Sequence, residues 1–392
     1  MSRPDLKDKP MAVCGDPESR HGILLAKNEH AKKCGVVTAE TIWQAKKKCP
    51  SLVLVPPHMS KYKQMSVKIN EIYQSFTDMV EPFSIDESWL DVTASQTLFG
   101  SGKEIADTIR QRVKSELGLT LSAGVSFNKI FAKMGSEYKK PDATTVISRE
   151  NFKEMLWPLP ASEMFFAGKA TVEKLKKVGI LTIGDIANAD SKQLYTMLGK
   201  AGPTLKDYAN GLDTSPVSLF SQREKIKSVG NGTTFKRNII TPDDINTAVT
   251  ALSDTVSARL RKYKMKAGGI KVDIKDPFFK VISRQKQLFV PTNLTEEIVR
   301  ASLEIISSSW KSGEPIRMLT ITGINLTDEC SGQQLSLFGS DLAHSESGEK
   351  MERTMDDVRK KYGTGSIGYA AVIGNDIGAA VRKDMLEKDL KE

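Results

Sequence analysis

The sequence predicts an α+β protein built from several domains, and three observations carry that reading. Residues 60–126 run helix, strand, strand, helix, strand; residues 150–222 are helical and punctuated by glycine turns; and residues 223–286 hold fifteen Lys and Arg against six Asp and Glu. The chain has 392 residues and a formal charge of +9, so everything outside that block is neutral. Its length suffices for about two to four domains, each with its own core.

In chain order, MAVCG (11–15), GILLA (22–26) and SLVLV (51–55) read as buried strands, and EHAKKCGVVTAETIWQAKKKCP between the last two reads as two short helices broken at Gly35. KYKQMSVKINEIYQSF places Tyr62, Met65, Ile69, Ile72 and Phe76 near one face of an amphipathic helix. A hairpin over 80–93 comes next, then helix KEIADTIRQRVKSELG ending at Gly118 and strand LTLSAGVS. Helix FNKIFAKMGSEYKK, broken by Pro141, and strand TTVIS complete this part. The order is that of a ferredoxin-like βαββαβ unit whose first strand must be supplied from upstream. The upstream strands at 11–15 and 22–26 contain no internal acid, so that first strand is expected to be missing.

Within 150–222, Ala167-Gly168-Lys169 opens an amphipathic helix and Gly179 stops it. This is either a plain helical hairpin or a helix–hairpin–helix, whose turn N–H groups meet a DNA phosphate without reading sequence. NGLDTSPVSLFSQREK reads as a linker. A helix over 243–263 and strands GGIKVDIKD, QKQLFV and IRMLTITGINL then form a compact α+β domain that begins with the basic block and ends near Leu326. Beyond Thr327 the chain turns polar; SDLAHSESGEKMER reads as disordered and KMERTMDDVRKKYG as a short helix.

Composition narrows the function. No apolar run approaches the roughly 18 residues that span a bilayer, and MSRPDLKDKP has no apolar signal core, so no membrane association and a cytoplasmic location are expected. Cys14, Cys34, Cys49 and Cys330 form no CxxC pair, and His21, His30, His58 and His344 form no HExxH, which argues against zinc and disulfides. The basic block is either a solvated face, as RLRKYKMK (259–266) could be, or the footprint of a polyanion such as nucleic acid.

The stretch EPFSIDESWLDVT (81–93) sets Asp86 and Glu87 side by side among Phe83, Ile85, Trp89, Leu90 and Val92. Ser84 and Glu87 match a capping box, so a helix could begin there. Trp89, Val92 and Thr93 are strand formers, which favours two short strands meeting at a tight turn on the acids. Carboxylates converging at a turn repel unless a cation lies between them, and a hard divalent cation would serve.

Further along the chain come, in order, SAGVSFNKIFAKMGSEYKKPDATTVI, the glycine hairpin, SVGNGTTFKRNI (228–239) and QLSLF (334–338). Together with the acidic stretch they resemble the Y-family lesion-bypass DNA polymerases of the bacterial DNA polymerase IV type, over roughly residues 9–338. The resemblance implies a right-hand polymerase: fingers and the remnant of the palm start at 1–58, ferredoxin-like palm at 59–150, and helical thumb with helix–hairpin–helix at 151–222. A separate α+β DNA-binding (little finger) domain would span 223–330, and a flexible tail with a clamp-binding peptide 331–392. It implies a low-fidelity translesion polymerase acting by a two-metal mechanism, with Asp86 and Glu87 as catalytic residues binding two Mg²⁺ ions. Lys32 and Lys140 match contacts to the triphosphate of a deoxynucleoside triphosphate. Gly168, Lys169, Thr171, Ser228, Gly230, Thr233, Thr234 and Arg237 match contacts to primer–template DNA. Gln334, Leu335, Leu337 and Phe338 match a sliding-clamp peptide, although QLSLF could equally be a last strand of the preceding domain. A monomer is expected.

Three departures from the family pattern stand out. The opening strand with a further metal-binding aspartate and an aromatic steric gate has no counterpart, roughly 20 residues in all, as the unfilled βαββαβ unit also suggests. The chain is therefore expected to polymerise poorly, and the alternative is a non-catalytic DNA- and clamp-binding protein derived from such a polymerase. Glu29 lies where relatives carry a triphosphate-binding tyrosine, with Lys27 and Lys32 nearby to compensate, and AGKAT replaces a more glycine-rich hairpin.

Overall fold

The computed structural model describes residues 4–15, 22–222, 225–329 and 342–379. The chain divides into two units, Lys61–Arg223 and a second that gathers Ser2–Ser60 with Glu224–Glu392.

The second unit opens with β1 (Met11–Cys14), β2 (Leu24–Lys27), α1 (Glu29–Lys33), α2 (Ile42–Lys48) and β3 (Val53–Val55). β1 is the central strand, antiparallel to β2 and parallel to β3. Asn28 and Thr41 cap the two helices, and Ala12, Leu24, Ala31 and Ala45 close a small core. The sheet therefore uses the apolar runs that the sequence marks as strands.

The first unit consists of α3 (Met59–Gln74), β4 (Val80–Pro82), β5 (Ser88–Leu90), α4 (Gln96–Phe99), α5 (Gly102–Leu117), β6 (Ala123–Ser126), α6 (Lys129–Tyr138) and β7 (Thr144–Ile147) in its first half. The helix–strand–strand–helix–strand order matches the sequence reading. Among the described residues β4 pairs with β5 and β6 with β7, and no strand joins the two pairs. Five short helices complete the unit: α7 (Phe152–Leu156), α8 (Lys169–Lys176), α9 (Ile183–Asn188), α10 (Ser191–Leu198) and α11 (Ala201–Ala209). Ile130, Phe131 and Met134 of α6 share one core with Leu156, Leu175, Ile183, Leu194 and Leu205. A continuous core thus joins α6 to the helical segment.

α6 lies unusually close to β6. A Cβ on Gly124 would stand 1.8 Å from the Ala132 carbonyl oxygen, and one on Gly135 would stand 3.1 Å from Gly124 Cα. The two glycines, unremarkable in the sequence, fix the seat of the helix that carries Lys129, Lys133 and Glu137.

The remainder of the second unit holds β8 (Val229–Ile239), α12 (Pro242–Lys262), β9 (Met265–Lys275), β10 (Val281–Thr292), α13 (Thr295–Ser309), β11 (Ile316–Asp328) and α14 (Leu342–Tyr362). The antiparallel sheet runs β10-β9-β11-β8, and its Ile270, Val272, Ile274, Leu319 and Ile321 pack against Val249, Leu252 and Val256 of α12 and Ile298 of α13.

Two local features go beyond the sequence reading. The donor-rich stretch SVGNGTTFKR, given no element there, is from Val229 onward an 11-residue strand paired with β11. The helix expected over KMERTMDDVRKKYG is present but begins earlier, at Leu342, within the stretch read as disordered, and Val372, Ile377 and Ala379 bury in the domain core. The expected flexible tail thus gives way to a packed segment over 342–379. Its glue is charge, with Arg359 bidentate to buried Asp254 at 2.8 Å and Arg261 bound to Glu352 and Asp356.

Candidate active site

β4 and β5 form a hairpin in the register Val80↔Leu90, Glu81↔Trp89 and Pro82↔Ser88. Its turn is closed by the N–H groups of Phe83 and Ser84, which both donate to the Glu87 carbonyl at 2.9 and 3.2 Å. No helix starts at Ser84; its hydroxyl instead donates to Asp86 Oδ1 at 2.8 Å. The strand-forming residues after the acids decide the local structure, and the chain reverses just before Glu87.

Two helices pin the hairpin. The Trp89 indole N–H donates to the Lys129 carbonyl at 3.0 Å, and Lys129 Nζ binds both oxygens of Glu81 at 2.6 and 2.7 Å while standing 5.2 Å from the Trp89 ring centre. Glu81 also accepts the Ser218 N–H at 2.7 Å. Burial would raise the Glu81 pKa, but the bonds from Lys129 and Ser218 outweigh it and hold the carboxyl below its ordinary value. From the α3 side, Asn70 Oδ1 accepts from the Ser88 hydroxyl at 3.0 Å. A turn braced this way holds its acids without relying on its own three-residue strands.

The acids face different partners. Asp86 is exposed, and its charge, after burial, helps push the Tyr73 phenol up to about 12. Glu87 is half-buried and accepts from Lys133 Nζ at 2.8 Å. Lys133, with its side chain 15% exposed, also donates to Glu137 at 2.8 Å, and Glu137 accepts from Lys140 at 2.7 Å. An unbroken row of alternating charge, Glu87, Lys133, Glu137, Lys140, thus joins one predicted site residue to another. Burial would lower the Lys133 pKa, yet the hydrogen bonds to Glu137 and Glu87 hold it above the ordinary lysine value.

Magnesium keeps most of its waters and takes one or two protein carboxylates beside phosphate oxygens. Adjacent carboxylates at an open turn fit that demand. Among the described residues no cluster of three His, Cys, Asp or Glu side chains could hold a metal on its own.

The remaining predicted residues are spread over both units. Gly168 sits at the N-terminus of α8, exposed together with Lys169, while Thr171 is half-buried. Gly168 lines a cavity of about 920 Å³ together with Lys133, Glu137, Tyr138 and Phe166. Lys32, in the second unit, pairs with Glu29 at 3.6 Å, so the acid that departs from the family pattern is answered by a neighbouring lysine. Lys27 instead donates to Thr38 at 3.1 Å. Ser228 precedes β8, and Gly230, Thr233 and Thr234 lie along it. Arg237, expected to contact phosphate, is bidentate to both Asp244 and Asp376 at 2.8 Å, because the packed C-terminal segment brings Asp376 to it. Gln334, Leu335, Leu337 and Phe338 fall outside the described residues. The sequence reading missed Lys129, Lys133, Glu137 and Tyr73; a signal for two of them was present in the i, i+4 spacing of Lys133 and Glu137 on one helical face.

Comparison with known proteins bears on the family and the fold. Residues 1–137 match the impB/mucB/samB family, and residues 226–337 match the impB/mucB/samB family C-terminal domain. The chain is 44% identical to DNA polymerase IV of Acetivibrio thermocellus over 93% of its own length and 91% of that protein. It is 34% identical to DNA polymerase IV 1 of Bacillus subtilis over 99% of its length and 94% of that protein. A solved structure, "Y-family DNA polymerase chimera Dbh-Dpo4(243-245)-Dbh", superimposes with a TM-score of 0.73 at 24% identity, covering 83% of this chain and 94% of that one, which speaks for the fold. The chain belongs to the impB/mucB/samB family, that of the bacterial DNA polymerase IV proteins, and has the fold of a Y-family DNA polymerase.

Proposed function

We propose that the chain is a template-directed, low-fidelity translesion DNA polymerase that joins a deoxynucleoside triphosphate to a primer end at Asp86 and Glu87. The observation that carries this is the braced hairpin turn presenting an exposed aspartate and a half-buried glutamate, in a chain 44% identical to a DNA polymerase IV along nearly its whole length. Two magnesium ions held there would lower the pKa of the primer 3′-hydroxyl and offset charge on the triphosphate and leaving pyrophosphate. Ser84 orients one Asp86 oxygen, and Lys133 holds Glu87 in place.

Lys140 and Lys32 serve as point charges for the triphosphate, and both are exposed and held only by surface carboxylates that a polyphosphate can replace. The α8 N-terminus, through Gly168, Lys169 and Thr171, takes one phosphate of the primer–template. Ser228, Gly230, Thr233 and Thr234 take others, and such contacts position DNA without reading its sequence. The peptide at 334–338 docks on a sliding clamp, and the polymerase works as a monomer in the cytoplasm. No helix among the described residues is long and apolar enough to cross a membrane.

Primer extension with magnesium tests the reading. Glu87→Gln and Asp86→Asn should each lower the rate by about 100-fold or more while leaving DNA affinity intact. A chain that binds primer–template but extends no primer would overturn the catalytic assignment in favour of a DNA- and clamp-binding protein.

A further inference from the structure

The charge row from Glu87 to Lys140 is costly as ordinary surface decoration. Glu137 stands in the last turn of α6, where the partial negative charge of the helix end opposes a carboxylate. Lys133 precedes Glu137 by four residues, the less favourable order for such a pair. Exposed pairs add little stability in any case. Burial separates the two lysines, since the Lys133 side chain is 15% exposed and that of Lys140 52%. A nearly buried ammonium cannot stand without a carboxylate, whereas an exposed one is readily taken by water or by another anion.

We propose that Glu137 is a positioning residue that couples cation binding at Asp86 and Glu87 to polyphosphate binding at Lys140. Before a cation arrives, Lys133 divides its bonds between Glu87 and Glu137, and Glu137 also holds Lys140. With a divalent cation on Glu87, Lys133 would lose that partner and fall back on Glu137 alone. Glu137, neutralised by that ammonium, releases Lys140 to a phosphate. By linkage, polyphosphate on Lys140 in turn favours the cation. The inference rests on Asp86 and Glu87 as cation donors and Lys140 as a phosphate contact.

The test uses the full chain without DNA: Mn²⁺ binding followed by the paramagnetic resonance of free Mn²⁺, and tripolyphosphate binding followed by calorimetry without metal. Glu137→Gln should weaken Mn²⁺, because Lys133 then clings to Glu87, and should tighten tripolyphosphate, because Lys140 is already free, each by about fivefold. Loss of one negative charge could move both in these directions, so two backgrounds separate the explanations. With Lys133→Met the effect on Mn²⁺ should vanish, and with Lys140→Met the effect on tripolyphosphate should vanish. Effects of full size in those backgrounds would overturn the coupling and leave the site reading intact, as would an E137Q chain indistinguishable from the parent. A parent chain that binds neither probe would overturn the site reading itself.

Discussion

Arg237 shows how partners supplied by the fold bear on the role a single side chain can take. Its sequence context, FKR on a segment full of hydroxyls, suggests a phosphate contact. Its guanidinium is instead gripped by Asp244 and Asp376, whose hydrogen bonds hold it far above the ordinary arginine pKa. One positive charge against two negative ones repels a phosphate. Arg237→Ala should therefore leave the salt dependence of DNA binding unchanged, whereas loss of a true phosphate contact lowers the slope by about one. Titration of a DNA duplex over a salt series with both chains measures this, and a slope reduced by one would restore Arg237 to the interface. The contrast with Glu87 is instructive. The acid pair was legible because carboxylates among Phe, Ile, Trp and Leu have no packing reason to be there. The partners of Arg237 lie 7 and 139 residues away, and the second of these distances hides Asp376 from any local reading.

At the scale of elements, the seat of α6 on β6 governs where Lys129, Lys133 and Glu137 stand. Gly124→Ala would drive a methyl group into the Ala132 carbonyl and to 2.5 Å from the Ser136 nitrogen, both backbone atoms that cannot swing aside. A destabilisation of about 3 kcal/mol or more is expected, at the upper end of overpacking effects, read by denaturant unfolding. A variant as stable as the parent would mean that α6 shifts freely, and the charge row it carries would lose its fixed spacing. The same chemistry explains what the sequence concealed. β8 carries Gly230 and Gly232, which count against a strand in the sequence, yet a Cβ at either would crowd the side chain of Thr322 or Thr320 on β11, so the glycines ease the pairing. Helices with apolar stripes, such as α5 with buried Ile105, Ile109 and Val113, are plain from their period. α14 is plain only in its second half, KMERTMDDVRKKYG; its packing is not, since its buried positions include Glu352 and Arg359, which an apolar pattern counts as surface.

Over the whole molecule, the excess positive charge sits in a block whose domain is completed by the C-terminal segment. Arg359 and Asp254, 105 residues apart, meet as a buried bidentate pair with side chains 8% and 4% exposed. Replacing both members of such a pair is mild, but removing one strands a buried charge. Arg359→Met should accordingly destabilise the chain by about 3–5 kcal/mol. Asp254→Asn added to it should recover part of that loss, because no lone carboxylate remains. Lys360→Ala, one residue on and exposed, should stay within about 0.5 kcal/mol of the parent. Denaturant unfolding of the full chain separates these cases. If Arg359→Met unfolds no more easily than Lys360→Ala, residues 342–379 contribute nothing to the domain. The wide separation of Asp254 and Arg359 then carries no fold information. If the expected order holds, the segment beyond the proposed clamp peptide is a structural part of the basic domain. Cutting the chain before α14 would then damage DNA binding through loss of folding and not through loss of contacts.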